Sequence, residues 1–321
     1  MGNALVDVLS QVDDDVLERH GLTKGSMTLI DLDQADRLGA DMPDQVTSAG
    51  GSAANTAAVI AMMGGHAGYI GRVRNDELGS AFASRLREQG VEFDTTPATD
   101  GPSTGRSLIL VTPDAQRTMN TYLGAASALH PSDVEDSLMQ GAAILYLEGY
   151  LWDQPDAKDA IRKAIDLASG HRMRIALTLS DGFCVEAHLP EFIQLIDDHV
   201  DILFANETEA MMLTGAASGA EAAQALQGRC GVVAVTLSER GSLLSTPEEI
   251  VTVQAAPVAS VLDTTGAGDC YAAGVLLGLA RGLPLAVCGA AGSQAAAAAL
   301  GTVGARPQGA AAVALADVLP N

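Results

Sequence analysis

VDILFANETEA, residues 200–210, runs a short apolar stretch straight into a polar, acid-bearing segment. Val200 to Asn206 reads as a strand, and Asn206 falls where a following helix would take its cap. Outward from this point the same rhythm repeats. AILYLEG (143–149), MRIALTLS (173–180) and VVAVTLS (232–238) are further short apolar runs bounded by turns. QPDAKDAIRKAIDLASG (154–170) and GAEAAQALQG (219–228) lie between them with helical periodicity. Strand alternating with helix predicts an α/β fold, a mainly parallel sheet covered by helices on both faces in three α/β/α layers. In such sheets ligands sit beyond the carboxyl ends of the strands, which points to Gly149, Ser180, Asn206 and Ser238.

Two stretches break the rhythm. Residues 7–32 and 91–122 carry polar, alternating segments such as GRSLILV (105–111) and RTMNTY (117–122) and lack long helices. They are expected to form a small β-sheet lid inserted in a single domain spanning 1–321. Near the C-terminus, helices rich in small residues are expected at 267–281 and 284–300, the second opening at Pro284 just after Gly282.

Forty acidic residues against eighteen basic ones give a net charge of −22 and a pI near 4.4. That field repels nucleic acid, and an anionic substrate would need local backbone donors and a metal counter-ion. Apolar residues make up 48% of the chain, enough for a substantial core. No run reads as a membrane span or a leader, so a cytoplasmic protein without a membrane partner is expected. Cys184, Cys230, Cys270 and Cys288 show no metal spacing and read as buried, reduced thiols. The P-loop, the dinucleotide fingerprint after a strand, GxSxG and HExxH are all absent, and GTVGARP (301–307) is too loose to count.

Three segments carry polar chemistry. In DTTGAGDCYAAG (263–274), Gly266, Ala267 and Gly268 enter an Ala-rich helix with Asp269 in its first turn. This is either an ordinary turn with a well-placed acid or an anion site with a base beside it. In AGGSAANTAAVIAMMGG (49–65), Gly50 and Gly51 allow close backbone approach and Asn55 is a polar group on an apolar helix. GNALVD (2–7) supplies Asn3 and Asp7. Asp7 with Asn55 suits the adjacent hydroxyls of a sugar, unless Asp7 serves a local turn. In ANETEA (205–210), Asn206 and Glu209 suit either a water-rich magnesium site or a capping box.

Together DTTGAGDCYAAGVL, AGGSAANTA, GRVRNDELG (71–79) and NETE (206–209) resemble the ribokinase-like, phosphofructokinase-B type kinases of carbohydrates and nucleosides, over nearly the whole chain. The resemblance implies a ribokinase-like fold, ATP as co-substrate and Mg²⁺ as cofactor. It implies Asp269 as catalytic base and Gly266, Ala267 and Gly268 as anion hole. It places Asn206 and Glu209 at the metal-bound phosphates, and Asn3, Asp7, Gly50, Gly51 and Asn55 at the substrate. TLSERG (236–241), with Thr236, Ser238 and Gly241, resembles the segment near the ATP site, and Asp263 with Thr265 the place of a monovalent cation such as K⁺. GNALVD, RTMNTYLGAA (117–126) and VDILFANETEA look most like adenosine kinases, which implies a primary hydroxyl of a ribonucleoside as acceptor and Arg117 near the transferred phosphate. Met27, Leu29, Tyr122 and Phe183 are candidates for an apolar slot holding a base. The alternative within the family is a free-sugar kinase acting on ribose, fructose or a keto-deoxy sugar acid, with Arg106 or Arg117 facing an acid's carboxylate. A third reading is an inactive ligand sensor, in either a monomer or a homodimer.

Overall fold

Residues 1–114 and 116–319 are described by a computed structural model of the protein. The strands ahead of the alternating pattern are β1 (Leu5–Gln11), β2 (Met27–Leu29), β3 (Val46–Gly50), the two-residue β4 (Ala67–Gly68) and β5 (Val91–Glu92), β6 (Gly105–Val111) and β7 (Arg117–Tyr122). Five of them form one sheet in the order β2-β7-β6-β1-β3, while β4 and β5 pair with each other. The segments expected to make the small sheet supply four of its strands, with β1 starting earlier than foreseen, at Leu5. The fifth, β3, is unforeseen because Val-Thr-Ser-Ala-Gly offers no apolar alternation.

Register sorts this sheet into two faces, because side chains alternate along each strand. Val6, Val8, Leu108, Leu110 and Ala49 turn to one side. There they bury against Val16 and Leu17 of α1 (Asp14–Arg19), Ala35 and Leu38 of α2 (Leu32–Ala40), Ala53 and Ala57 of α3 (Ser52–Met62) and Phe82 and Leu86 of α4 (Glu77–Glu88). The opposite face carries Asp7, Leu9, Ile109, Arg117, Met119, Met27 and Leu29, matched across the strands by the pairings Asp7–Ser107, Leu9–Ile109, Ile109–Met119 and Met27–Met119.

The alternating pattern yields β8 (Ile144–Glu148), β9 (Arg174–Thr178), β10 (Ile202–Asn206) and β11 (Val232–Thr236), all parallel. An antiparallel hairpin, β12 (Ser242–Ser245) and β13 (Ile250–Val253), extends the edge, so the six-stranded sheet is mixed. Its parallel strands β8 to β11 are largely apolar because both faces are covered. Ile175, Leu177, Leu203, Val233 and Val235 face the side of α5 (Pro155–Gly170), α6 (Gly182–His199), α7 (Glu207–Thr214) and α8 (Gly219–Leu226). Ala176, Ile202, Phe204 and Ala234 face α9 (Ala267–Ala280) and α10 (Leu285–Leu300). A Cβ on Gly274 would stand 2.5 Å from the Gly292 nitrogen, so small residues let these two helices meet backbone to backbone. The chain continues into α11 (Gly309–Leu315). All four cysteines are buried and unbridged. Among the described residues, no helix is long and apolar enough to cross a membrane.

Candidate active site

Asp269 is the third residue of α9, at the N-terminal end of a helix packed against α3. Two side chains of α3 reach it. Ser52 Oγ donates to Oδ1 at 2.6 Å and Asn55 Nδ2 donates to Oδ2 at 2.8 Å, while Thr56 Oγ1 donates to its main-chain oxygen at 3.2 Å. Burial pushes its carboxyl up to about 6, against the pull of the Ser52 and Asn55 hydrogen bonds and of the Arg306 guanidinium. The residue as a whole nevertheless keeps part of its surface open to solvent. A carboxylate with these properties is deprotonated at neutral pH yet basic enough to accept a proton.

The turn before α9 has the geometry of an anion cradle. Gly266 has φ 74°, and a Cβ there would overlap the Ala305 carbonyl oxygen. The Ala267 amide leans back to Thr264 O at 3.3 Å, but those of Gly268 and Asp269 lie in the first helical turn, which has no carbonyl of its own to receive them. A Cβ on Gly268 would meet nothing within 4 Å. Bare backbone beside open space, at the positive end of a helix, suits an anion.

Across from it stands Asp7 on β1. Burial raises its carboxyl to about 6, while Arg306 and Arg117 lower it and Asp269 raises it. Gly50 is bare because a Cβ there would overlap the Asp7 carboxylate, and Gly51, at φ 94°, lies against the Asn3 carbonyl. Asn3 is buried, with its Oδ1 unpartnered. Its backbone N–H donates to Glu148 Oε1 at 2.5 Å, and Ala53 N–H donates to Oε2 of the same carboxylate at 2.9 Å, so the end of β8 fixes both the start of β1 and that of α3.

Several expected residues are bonded to other side chains of the protein. Asn55 is engaged within the site, its Nδ2 donating to Asp269 and its Oδ1 accepting from Arg306 Nε at 2.8 Å. Asn206 and Glu209 form a reciprocal capping box on α7, with Asn206 N–H and Nδ2 donating to the two Glu209 oxygens and Glu209 N–H to Asn206 Oδ1. Each Glu209 oxygen therefore accepts one of these bonds. Among the described residues no cluster of acidic, His or Cys side chains could hold a metal alone. Magnesium fits here only as an ion carried mainly by phosphates and water, with these residues beyond its first coordination layer.

Arg117 pairs with Asp263 at 2.9 Å, which the Thr265 and Gly304 amides also serve at 3.0 and 2.7 Å. The expected K⁺ position is thus already neutralised by an arginine. Arg106 lies on the packed face of the sheet with Tyr122 and binds Asp36, so neither residue faces the substrate side. Met27 and Leu29 share the Asp7 face and are exposed, whereas Phe183 opens α6 against Tyr150. Thr236, Ser238 and Gly241 form the turn between β11 and β12, and Gly241 packs on the Val253–Ala255 backbone. Next to that backbone lie two adjoining troughs that sequence reading missed. One is about 450 Å³, lined by Gln254, Ala256, Pro257 and Ala290, and the other about 390 Å³, reaching Ser260 and Gly301. Ser260 and Gly301 each stand three residues from the Asp263–Gly304 contact that brackets the anion turn. Ser52 and Arg306 were also missed. Ser52 reads as a routine helix start, and Arg306 lies in the dismissed GTVGARP.

The chain is similar over 98% of its length to a probable sugar kinase from Rhizobium etli CFN 42, at 42% identity and a TM-score of 0.89, with 95% of that chain covered. It is similar over 98% to an adenosine kinase from Sinorhizobium meliloti, at 46% identity and a TM-score of 0.88, with 96% of that chain covered. It is 30% identical to guanosine-inosine kinase of Escherichia coli K12 over 223 residues, 66% of this chain and 51% of that protein, so the chain spans about half the length of that curated relative. Residues 22–310 match the pfkB family carbohydrate kinase profile, and the chain belongs to that family.

Proposed function

We propose that the protein is an ATP-dependent kinase that phosphorylates a primary hydroxyl of a ribonucleoside, with adenosine as the preferred acceptor. The observation that carries this reading is Asp269, held by Ser52 and Asn55 beside the bare Gly266–Gly268 turn and across from Asp7. Asp7 receives the sugar hydroxyls. Asp269 takes the proton of the attacking hydroxyl as its oxygen bonds the γ-phosphorus, and the bond to the β-phosphate oxygen breaks to release ADP. First-turn amides and the unpartnered Arg117 Nη2 stabilise the charge of the transferring group. Magnesium, when bound with the nucleotide, neutralises phosphate charge that this acidic chain would otherwise repel. The troughs beside Gly301 take the nucleotide base.

A nucleoside is favoured over a free sugar because Met27, Leu29, Met119 and Leu9 line the same face as Asp7, an apolar strip that a base can cover and a sugar cannot. Likeness to the adenosine kinase from Sinorhizobium meliloti supports the same choice. A sugar acid loses Arg106 to Asp36, and the one unspent donor of Arg117, which otherwise pairs with Asp263, goes to the transferring group. The intact base and glycines speak against an inactive sensor. The test is magnesium-dependent ADP formation with adenosine, inosine, guanosine, ribose, fructose and 2-keto-3-deoxygluconate. Turnover with nucleosides is expected, and it should fall about a hundredfold or more in Asp269→Asn, the scale of a lost general base. Turnover confined to sugars would overturn the nucleoside assignment.

A further inference from the structure

GTVGARP (301–307) matches no phosphate motif, yet it wraps the anion turn. Gly304 N–H donates to Asp263, the Ala305 carbonyl caps Gly266 and receives Cys270 Sγ at 3.7 Å, and Arg306 runs inward. Arg306 is only 8% exposed. Its Nε donates to Asn55 Oδ1 at 2.8 Å, its Nη1 donates to Gln89 Oε1, and its Nη2 is buried without a partner. A guanidinium so deeply placed, with one donor unspent, is costly unless negative charge stands near it. Asp7 and Asp269 are the first two charges that stabilise its protonated form.

The geometry points to Arg306 as a positioning residue of the phosphoryl-transfer site: it fixes the orientation of the Asn55 amide and supplies a buried positive charge that Asp7 and Asp269 share. This rests on Asp269 being the base. An asparagine amide can present either its oxygen or its NH₂ to a neighbour. Arginine is donor-only, so Asn55 must turn its oxygen to Arg306 and its NH₂ to the Asp269 carboxylate. Without Arg306 the Asn55 oxygen loses its donor, and only the Asp269 and Ser52 side of the site is left to hold the amide. The charge acts in the same direction. Burial is what raises the Asp269 carboxyl, and Arg306 is the charged group that opposes it. The acids Asp7 on β1 and Glu148 on β8 stand near, with the uncharged Tyr146 of β8 and Cys270 of its own helix.

The experiment compares the parent with Arg306→Gln and Arg306→Lys by two readouts. One is titration of the aspartate carboxyl carbons by NMR, with the Asp269 signal assigned by its loss in Asp269→Asn. The other is the acid limb of kcat/KM. Arg306→Gln is expected to raise the Asp269 midpoint by about one unit or more, and the acid limb with it. Arg306→Lys keeps the charge, so its midpoint stays near the parent's, while kcat falls about tenfold because the shorter ammonium does not hold Asn55. Equal midpoints in all three proteins, or a fully active lysine variant, would overturn the proposal. If the glutamine variant does not fold, the lysine variant decides alone, through its unchanged midpoint and lowered kcat. The NMR midpoint does not depend on turnover, so failure of the kinase reading would appear separately, as a parent that titrates but transfers no phosphate.

Discussion

At the scale of single residues, the two glycines of the anion turn separate folding from function. Gly266 has φ 74°, and a side chain there would overlap the Ala305 carbonyl. Gly266→Ala therefore combines a left-handed backbone with a backbone clash and should cost about 2 kcal/mol or more, read as a lowered Tm. Gly268 is the opposite case, since its added methyl would meet no protein atom within 4 Å. Gly268→Ala should fold as well as the parent, because alanine suits a helical position better than glycine. It should still lose at least about tenfold in kcat/KM, because the methyl enters the space the phosphoryl group needs. A Gly268→Ala variant with parental kinetics would remove the anion from this turn. The sequence made these glycines and Asp269 legible because a conformational demand narrows the residue choice. Ser52 and Arg306 were not legible, since their meaning lies in partners 217 and 251 residues away in the chain.

At the scale of elements, an ion pair joins the five-stranded sheet to the segment that leads into α9. Arg117 opens β7, and Asp263 leads into α9, with side chains 12% and 6% exposed. Burial opposes ionisation of Asp263, but the Thr265 and Gly304 amides and Arg117 outweigh it and hold its carboxyl below the usual range. Asp263→Asn leaves a buried arginine unpaired, a loss of up to about 3–5 kcal/mol for such pairs. Faster amide exchange in β7 than in β10 is the expected sign, and equal protection of both strands would show that the pair does not hold the sheet. The same contact predicts that activity is unchanged when K⁺ is replaced by tetramethylammonium at equal ionic strength, because Asp263 already has its cation. A several-fold dependence on K⁺ would mean that the metal displaces Arg117. The elements themselves were readable wherever they were apolar on both faces, as in β8 to β11. Those built of small or polar residues were not. β3 has no alternation, and Asn206 with Glu209 carry one spacing that serves a cap and a metal equally well.

At the scale of the whole molecule, the site is held at the expense of stability at neutral pH. Burial raises Asp7 and Asp269 to about 6 and Glu209 to about 7, and Glu148 is raised by burial against the Asn3 and Ala53 amides. A carboxyl whose folded value lies above its unfolded one binds more protons in the native state between the two. Stability then falls as pH rises through that window, from about 4 to 7, and levels off above it. Asp263 and Glu191 shift the other way and withdraw stability only at lower pH. A chain carrying a net −22 adds self-repulsion that grows as the remaining carboxyls ionise. The expected Tm is therefore highest near about pH 4.5 and lower by several degrees at about pH 8. Salt should restore part of the difference at the higher pH by screening the surface charge, but not the part that comes from buried carboxylates. Asp269→Asn distinguishes the two contributions, because it removes one buried ionisation and leaves the surface nearly unchanged. Its Tm should decline less between about pH 4.5 and 8 than the parent's, at every salt concentration. A variant with the parent's full pH slope would mean that Asp269 ionises without cost, and that solvent rather than the protein carries its charge.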